Sequence, residues 1–272
     1  MPELPEVETT IRYLYKKVNG KKILSLKKSS KKLRKNLKKS DLKLIKGFFI
    51  KKIKRFAKYI IIELNSKNYL IIHLGMSGRL KYYNKKDYKK EKHDHVILEF
   101  YNFLIVFNDP RRFGMYFLLR NKIDLNLFFK NYGLDLLTEE VDVKKFYKLF
   151  KNKNISLKQA LLDQRIFVGI GNIYANEALF HSKLNPKRLT NSLTLRETDL
   201  LISSCKHVLR LALKNGGSSI NDYKLTGSII ASSTNNPFTN GIDIIISFSV
   251  KGQKGQGGTK GQKGAGGAKG QK

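Results

Sequence analysis

An α+β chain of more than one domain is predicted: a β-rich N-terminal half opening on a helix, a helical half after it, and a basic tail. Three observations carry the prediction. Apolar residues near the N-terminus recur at helical spacing, short β-rich runs broken by turn residues extend to about residue 119, and helical spacing returns from about residue 139. A length of 272 residues suits about two domains.

Pro5–Val18 reads as the first helix, because Val7, Ile11, Leu14 and Val18 follow at steps of four, three and four and so share one face. Pro5 suits the first turn, Glu6 and Glu8 the positive end of the helix dipole, and Lys16 and Lys17 the negative end. From Ile23 the pattern turns to strands: Ile45–Ile53, Tyr59–Leu64, Leu70–His73, Val96–Tyr101, Phe103–Phe107 and Tyr116–Leu119. Asn65-Ser66, Gly75, Gly78 and Asp109-Pro110 punctuate them, as in a sandwich or a barrel. Asn121–Thr138 reads as a connector, and Val143–Phe150, Ser156–Asp163, Ile173–Phe180 and Arg196–Ala212 as helices. A hinge between a β and an α domain predicts a cleft, the usual place for a site. Residues 251–272 hold 9 Gly, 6 Lys and 4 Gln, with KGQKG recurring and no glycine every third residue. That composition predicts a disordered basic tail and excludes collagen.

Fifty-four Lys and Arg against 21 Asp and Glu leave a net charge of +33, which calls for a polyanionic partner, nucleic acid first. The 43 Lys against 11 Arg and the absence of Trp also fit drift in an AT-rich genome. A single cysteine, Cys205, excludes an internal disulfide framework and a four-cysteine zinc site. No apolar run approaches the roughly 20 residues of a membrane-spanning helix, and MPELPEVE has no apolar core for a secretory signal. The expectation is a monomeric cytoplasmic protein, nucleoid-associated and away from membranes.

The first candidate for chemistry is the N-terminus. Removal of Met1 before the small Pro2 would leave a secondary amine, and an α-amine is neutral at pH 7 far more often than a lysine. A neutral amine beside a carboxylate, here Glu3 with Glu6 one turn on, can attack an electrophilic carbon and form an iminium. Lys58 lies in an apolar strand, FAKYIII, where a surface lysine snorkels. His93 and His95 alternate and would share a strand face, but two ligands without a third favour a structural role over a metal. Gly169 and Gly171 permit a tight turn that would leave amides at the start of the next helix free to hold a phosphate.

MPELPEVE, RFAKY (55–59), HLGMSGRL (73–80), KHDHV (92–96), NDPRRFG (108–114), LLDQ with GIGNIYANE (169–177), and NGGSSINDY (215–223) appear in that order. Together they resemble formamidopyrimidine-DNA glycosylase over about residues 1–224. The resemblance implies an N-terminal β-sandwich with its helix (1–120), a hinge (121–138) and a helix–two-turns–helix domain (139–224). It also implies a reaction. Pro2 attacks C1′ of an oxidised purine nucleoside, Glu3 acts as acid and base, and β,δ-elimination cuts the abasic strand. Further roles follow by position: Lys58 at the phosphate or lesion, His73 and His93 near DNA, Met76 filling the void, Arg111 pairing with the orphaned cytosine, and Phe113 wedging the stack. Lys158 and Asn172 match DNA contacts of the helix–two-turns–helix element. An apolar wedge and a guanidinium fork are what base flipping requires.

The family usually ends in a four-cysteine zinc finger with a DNA-gripping arginine, and neither stands after Lys224. No metal or other cofactor is therefore expected. Residues 225–250 diverge; Ile229–Ile230 and Ile242–Phe248 could pair as a hairpin, or the end could be frameshifted. An endonuclease-VIII-like enzyme for oxidised pyrimidines, or a silent DNA-binding relative, are the competing readings. HLGMSG and NDPRRFG favour the purine branch.

Overall fold

The computed structural model describes residues 1–217. The first helix, α1, spans Leu4–Val18 and buries Val7, Ile11, Leu14 and Val18 as their spacing predicts. Eight strands follow: β1 Ser25–Lys28, β2 Ile50–Phe56, β3 Tyr59–Leu64, β4 Tyr69–His73, β5 Arg79–Asn84, β6 Asp94–Glu99, β7 Phe103–Asn108 and β8 Met115–Leu119. They form two antiparallel four-stranded sheets, ordered β1-β6-β7-β5 and β2-β3-β4-β8. One apolar core lies between the sheets and takes in the buried face of α1, so the architecture is the sandwich.

The second sheet is covered on both faces, which explains the unbroken apolar run of β3. Ile60, Ile62 and Leu64 face the inter-sheet core, while Tyr59 and Ile61 face a second cluster with Phe117, Leu125, Phe128 and Phe129. Part of that cover is α3, Lys122–Phe129, in the segment read as a connector. Its apolar residues bunch together without a clean helical stripe, so periodicity does not reveal it. The run Ile45–Ile53 is also corrected. Ile45 ends a short helix, α2 (Lys39–Ile45), Gly47 turns the chain at φ +91°, and β2 starts at Ile50.

The helical half comprises α4 (Val143–Lys151), α5 (Leu157–Leu162), α6 (Asn172–His181) and α7 (Leu195–Lys214). Asp142, Ser156 and Thr194 cap α4, α5 and α7 by accepting the amides of Lys145, Gln159 and Glu197. Gly171, before α6, has no side chain to do so. Among the described residues no helix is long and apolar enough to cross a membrane. The expected hairpin of residues 225–250 and the expected basic tail lie outside the described residues.

Candidate active site

Glu3 supplies the missing cap. Its carboxylate accepts the amides of Gly171 (2.7 Å), Ile173 (2.9 Å) and, more weakly, Tyr174 (3.4 Å), at the positive end of α6. The amides expected to hold a phosphate are thus engaged by the chain's own carboxylate, a correction that follows from the depth at which Glu3 sits, 2% exposed. Leu4 N–H donates to the Gly169 carbonyl (3.0 Å), and Gly169 holds φ +85° against the Leu4 side chain. Glu6 accepts the Glu3 amide (2.9 Å) and the Tyr174 hydroxyl (2.6 Å). Pro2, buried, is therefore held at the junction of the two halves.

Lys58 is not in a strand. Ala57, at φ +53°, and Lys58 form the two-residue turn between β2 and β3, which aims the lysine past the end of the sheet. Its ammonium reaches the Glu3–Gly171 contact: a β-carbon on Gly171 would lie 2.4 Å from the Glu3 carboxyl carbon and 2.7 Å from Lys58 Nζ. Burial raises the Glu3 pKa, against the opposing pull of Lys58 and the amide bonds. Burial likewise lowers that of Lys58, with Glu3 and Glu6 opposing. Each group is thereby brought nearer to exchanging a proton at neutral pH.

Strand register gathers the other candidates at the same end of the second sheet. Tyr59 pairs with His73, and His73 with Met115, so the β2–β3 turn, the end of β4 and the loop before β8 are neighbours. His73 packs on Tyr59, with ring centroids 4.7 Å apart, and its Nδ1 accepts the Gly75 amide (3.1 Å). Burial, helped by the positive charges of Lys58 and Arg34, depresses its pKa to about 4. It is neutral at pH 7, and with Nδ1 accepting, its proton lies on Nε2, which can donate to an anion.

Met76 and Phe113 are 44% and 47% exposed, so neither is a core residue. Arg111 is also exposed, its guanidinium 5.0 Å from the Phe113 ring centroid. The loops carrying them touch: a β-carbon on Gly75 would lie 2.6 Å from the Gly114 nitrogen. Lys158 is half-buried in the first turn of α5, and Asn172 is exposed at the first position of α6.

His93 and His95 do not share a strand face. His93 sits in the turn before β6, while buried His95 contacts Ser29 Oγ (3.1 Å) and the Asp109 carbonyl (2.9 Å). Among the described residues no three metal-binding side chains converge. The sole cysteine is buried in α7, so the family's four-cysteine zinc has no ligand set in this chain.

Sequence reasoning missed Arg34, Ser77 and Asp109. Arg34 bears on His73 and Tyr59 and bonds the Gly114 carbonyl through its amide (3.0 Å), but it stands within KKSSKKLRKN, where no local signal singles it out.

Comparison with known proteins follows the same lines. The family model for the formamidopyrimidine-DNA glycosylase N-terminal domain matches residues 1–116, and that for the glycosylase H2TH domain matches residues 132–224. Formamidopyrimidine-DNA glycosylase of Wolbachia pipientis (strain wPip) is 42% identical over 224 residues, 82% of each chain. That of Zymomonas mobilis is 40% identical over 225 residues, again 82% of each. Among solved structures, a Lactococcus lactis FPG mutant in complex with Fapy-dG-containing DNA superposes with a TM-score of 0.78 at 35% identity, covering 84% of each chain. The L. lactis enzyme with abasic-site DNA gives 0.75 at 35% identity, covering 80% of each.

Proposed function

Because the chain belongs to the formamidopyrimidine-DNA glycosylase family, we propose that this DNA glycosylase of base-excision repair removes oxidised purines such as 8-oxoguanine and formamidopyrimidines. It then nicks the resulting abasic site through a Schiff base on Pro2. One observation carries the reading. Glu3, next to the candidate nucleophile, is buried and pinned to α6 beside Lys58.

With Met1 removed, the Pro2 lone pair attacks C1′, the C1′–N9 bond breaks, and the base departs with a proton. Protonation of the ring oxygen by Glu3 opens the sugar and leaves an iminium between C1′ and Pro2. The iminium acidifies the C2′ proton; its loss expels the 3′ phosphate, a second elimination expels the 5′ phosphate, and water releases the amine. The raised pKa of Glu3 suits it to hold that proton. In this reading Lys58 and the Nε2–H of His73 take the flanking phosphates, which the lysine's position beside Glu3 and the neutral state of His73 support. Met76, Arg111 and Phe113 fill the space and the pairing that the flipped nucleotide vacates.

Borohydride trapping on a duplex with 8-oxoguanine opposite cytosine tests the assignment. Wild-type protein should become covalently attached, whereas Pro2→Gly, or protein retaining Met1, should bind duplex but not crosslink. Crosslinking of blocked protein at the normal rate would move the nucleophile to a lysine such as Lys58. Trapping only on oxidised pyrimidines would favour the endonuclease-VIII-like branch.

A further inference from the structure

Met76, Arg111 and Phe113 project from two loops far apart in sequence, the β4–β5 turn and the loop between β7 and β8. To enter a duplex together they must hold a fixed spacing, although all three are exposed and none is packed in a core. A buried acid, Asp109, joins the loops. It is 0% exposed and has no role in the reaction just described. Its Oδ1 accepts the Ser77 hydroxyl (2.5 Å), and its Oδ2 accepts the Gly114 amide (2.8 Å). The same Ser77 oxygen accepts the Arg111 amide (3.0 Å).

One carboxylate therefore binds the residue after Met76, directly, and the residue after Phe113. Through one hydroxyl it also fixes the backbone of Arg111. Its own backbone is tied down as well: the Asp109 amide donates to the His93 carbonyl (3.0 Å), and its carbonyl receives the Arg112 amide (3.3 Å) and faces His95 Nε2 (2.9 Å). Arg112, at φ +59°, lies in the left-handed region that a non-glycine residue adopts only when held there. Gly114 must lack a side chain, since a β-carbon would lie 2.9 Å from Asp109 Oδ2 and 2.5 Å from the Phe107 ring.

We propose that Asp109 is a positioning residue that locks the Met76 loop to the Arg111–Phe113 loop, so that the three side chains insert into DNA as one rigid unit. Asp109 does not touch the substrate. The side chain matters here because an aspartate offers an acceptor at each of two oxygens, whereas an amide in the same place offers one acceptor and a donor. The proposal rests on the functional reading above and adds the element that makes insertion cooperative.

The test separates insertion from elimination. Asp109→Ala and the milder Ser77→Ala are compared with wild type on two substrates, an 8-oxoguanine:cytosine duplex and a preformed abasic site. The abasic duplex demands little unstacking or unpairing. Ser77→Ala should lose roughly tenfold, and Asp109→Ala roughly tenfold to a hundredfold, in excision from the paired lesion. Abasic-site cleavage should stay within about threefold of wild type in both, inside the range of a minor contact. A 2-aminopurine beside the lesion reports stack opening without any chemistry, and its fluorescence rise on binding should shrink in both variants. Equal losses on both substrates, or an unchanged fluorescence rise with Ser77→Ala, would overturn the proposal. Wild-type protein that fails to trap on abasic DNA would overturn the enzymatic reading instead, while the fluorescence comparison would still judge Asp109.

Discussion

Replacing His73 with Asn should remove a pH-dependent part of the protein's stability. The His73 pKa falls from 6.5 to about 4 on folding because the half-buried ring is partly desolvated against Tyr59 and faces the charges of Lys58 and Arg34. A depressed pKa means that the unfolded chain binds the proton more readily. The stability at stake is therefore full above pH 6.5 and is lost as pH falls towards 4. With those two values, about 2 kcal/mol disappears between pH 7 and pH 5, and the ceiling for the whole shift is about 3.4 kcal/mol. For a chain of this size, 2 kcal/mol moves the melting temperature by about 4–8 °C. Asn keeps an oxygen near the position of Nδ1 to accept the Gly75 amide, and it does not titrate. Urea unfolding of both proteins at pH 5, 6 and 7 gives the comparison. Other groups contribute equally to both proteins, so the difference between the curves isolates His73. The variant should be less stable at pH 7 yet lose about 2 kcal/mol less on going to pH 5. Parallel curves would refute the assignment of a neutral His73.

Gly171→Ala should fold but lose about a hundredfold in excision, since a β-carbon 2.4 Å from the Glu3 carboxyl carbon shifts the acid off its amides. Single-turnover kinetics would read this, and full activity would mean that Glu3 is not held by α6. Arg55→Ala should cost about 3–5 kcal/mol by chemical denaturation. The Arg55 side chain is 4% exposed and bonds Glu8 (3.0 Å), the Ala57 carbonyl (3.2 Å) and Asp135 (2.7 Å), so its loss strands a buried carboxylate. Arg55→Lys should recover only part, because one ammonium lacks the fork that reaches all three oxygens. A cost below about 1 kcal/mol would place this pair among ordinary surface bridges.

Much of this architecture is legible in the sequence where periodicity and burial coincide. β3 runs over Tyr59–Leu64 as predicted, and α1, α4, α6 and α7 fall within two residues of their periodic runs. Legibility fails where tertiary contact decides. β1 and β5, SLKK and RLKYYN, are edge strands with few buried residues, so no apolar run announces them. Lys58 reads as a strand residue because its neighbours are apolar, and only the left-handed Ala57 reveals the turn. The exposed Met76, Arg111 and Phe113 are found through motif resemblance, since exposure of a Met or Phe cannot be read from composition. Asp109, in Asp-Pro, carries the local signature of a turn, and its partner Ser77 lies 32 residues away.

The N-terminal segment gains its geometry from the half of the chain most distant in sequence. Glu6 takes the Glu3 amide in a capping box, which fixes the backbone that carries the Glu3 carboxylate. That carboxylate then finds α6, where Gly171 offers an amide and no side chain to compete. Docking of the two halves and assembly of the acid beside Pro2 are consequently one event. The arrangement sets two demands against each other. The amides and Lys58 favour a charged Glu3, whereas burial, the larger effect, favours a protonated one. DNA phosphate brought against this junction adds negative charge and excludes water, and both push further towards the protonated acid. In the proposed reaction, substrate binding would thus favour the protonated Glu3 that sugar opening calls for, against the pull of the α6 amides.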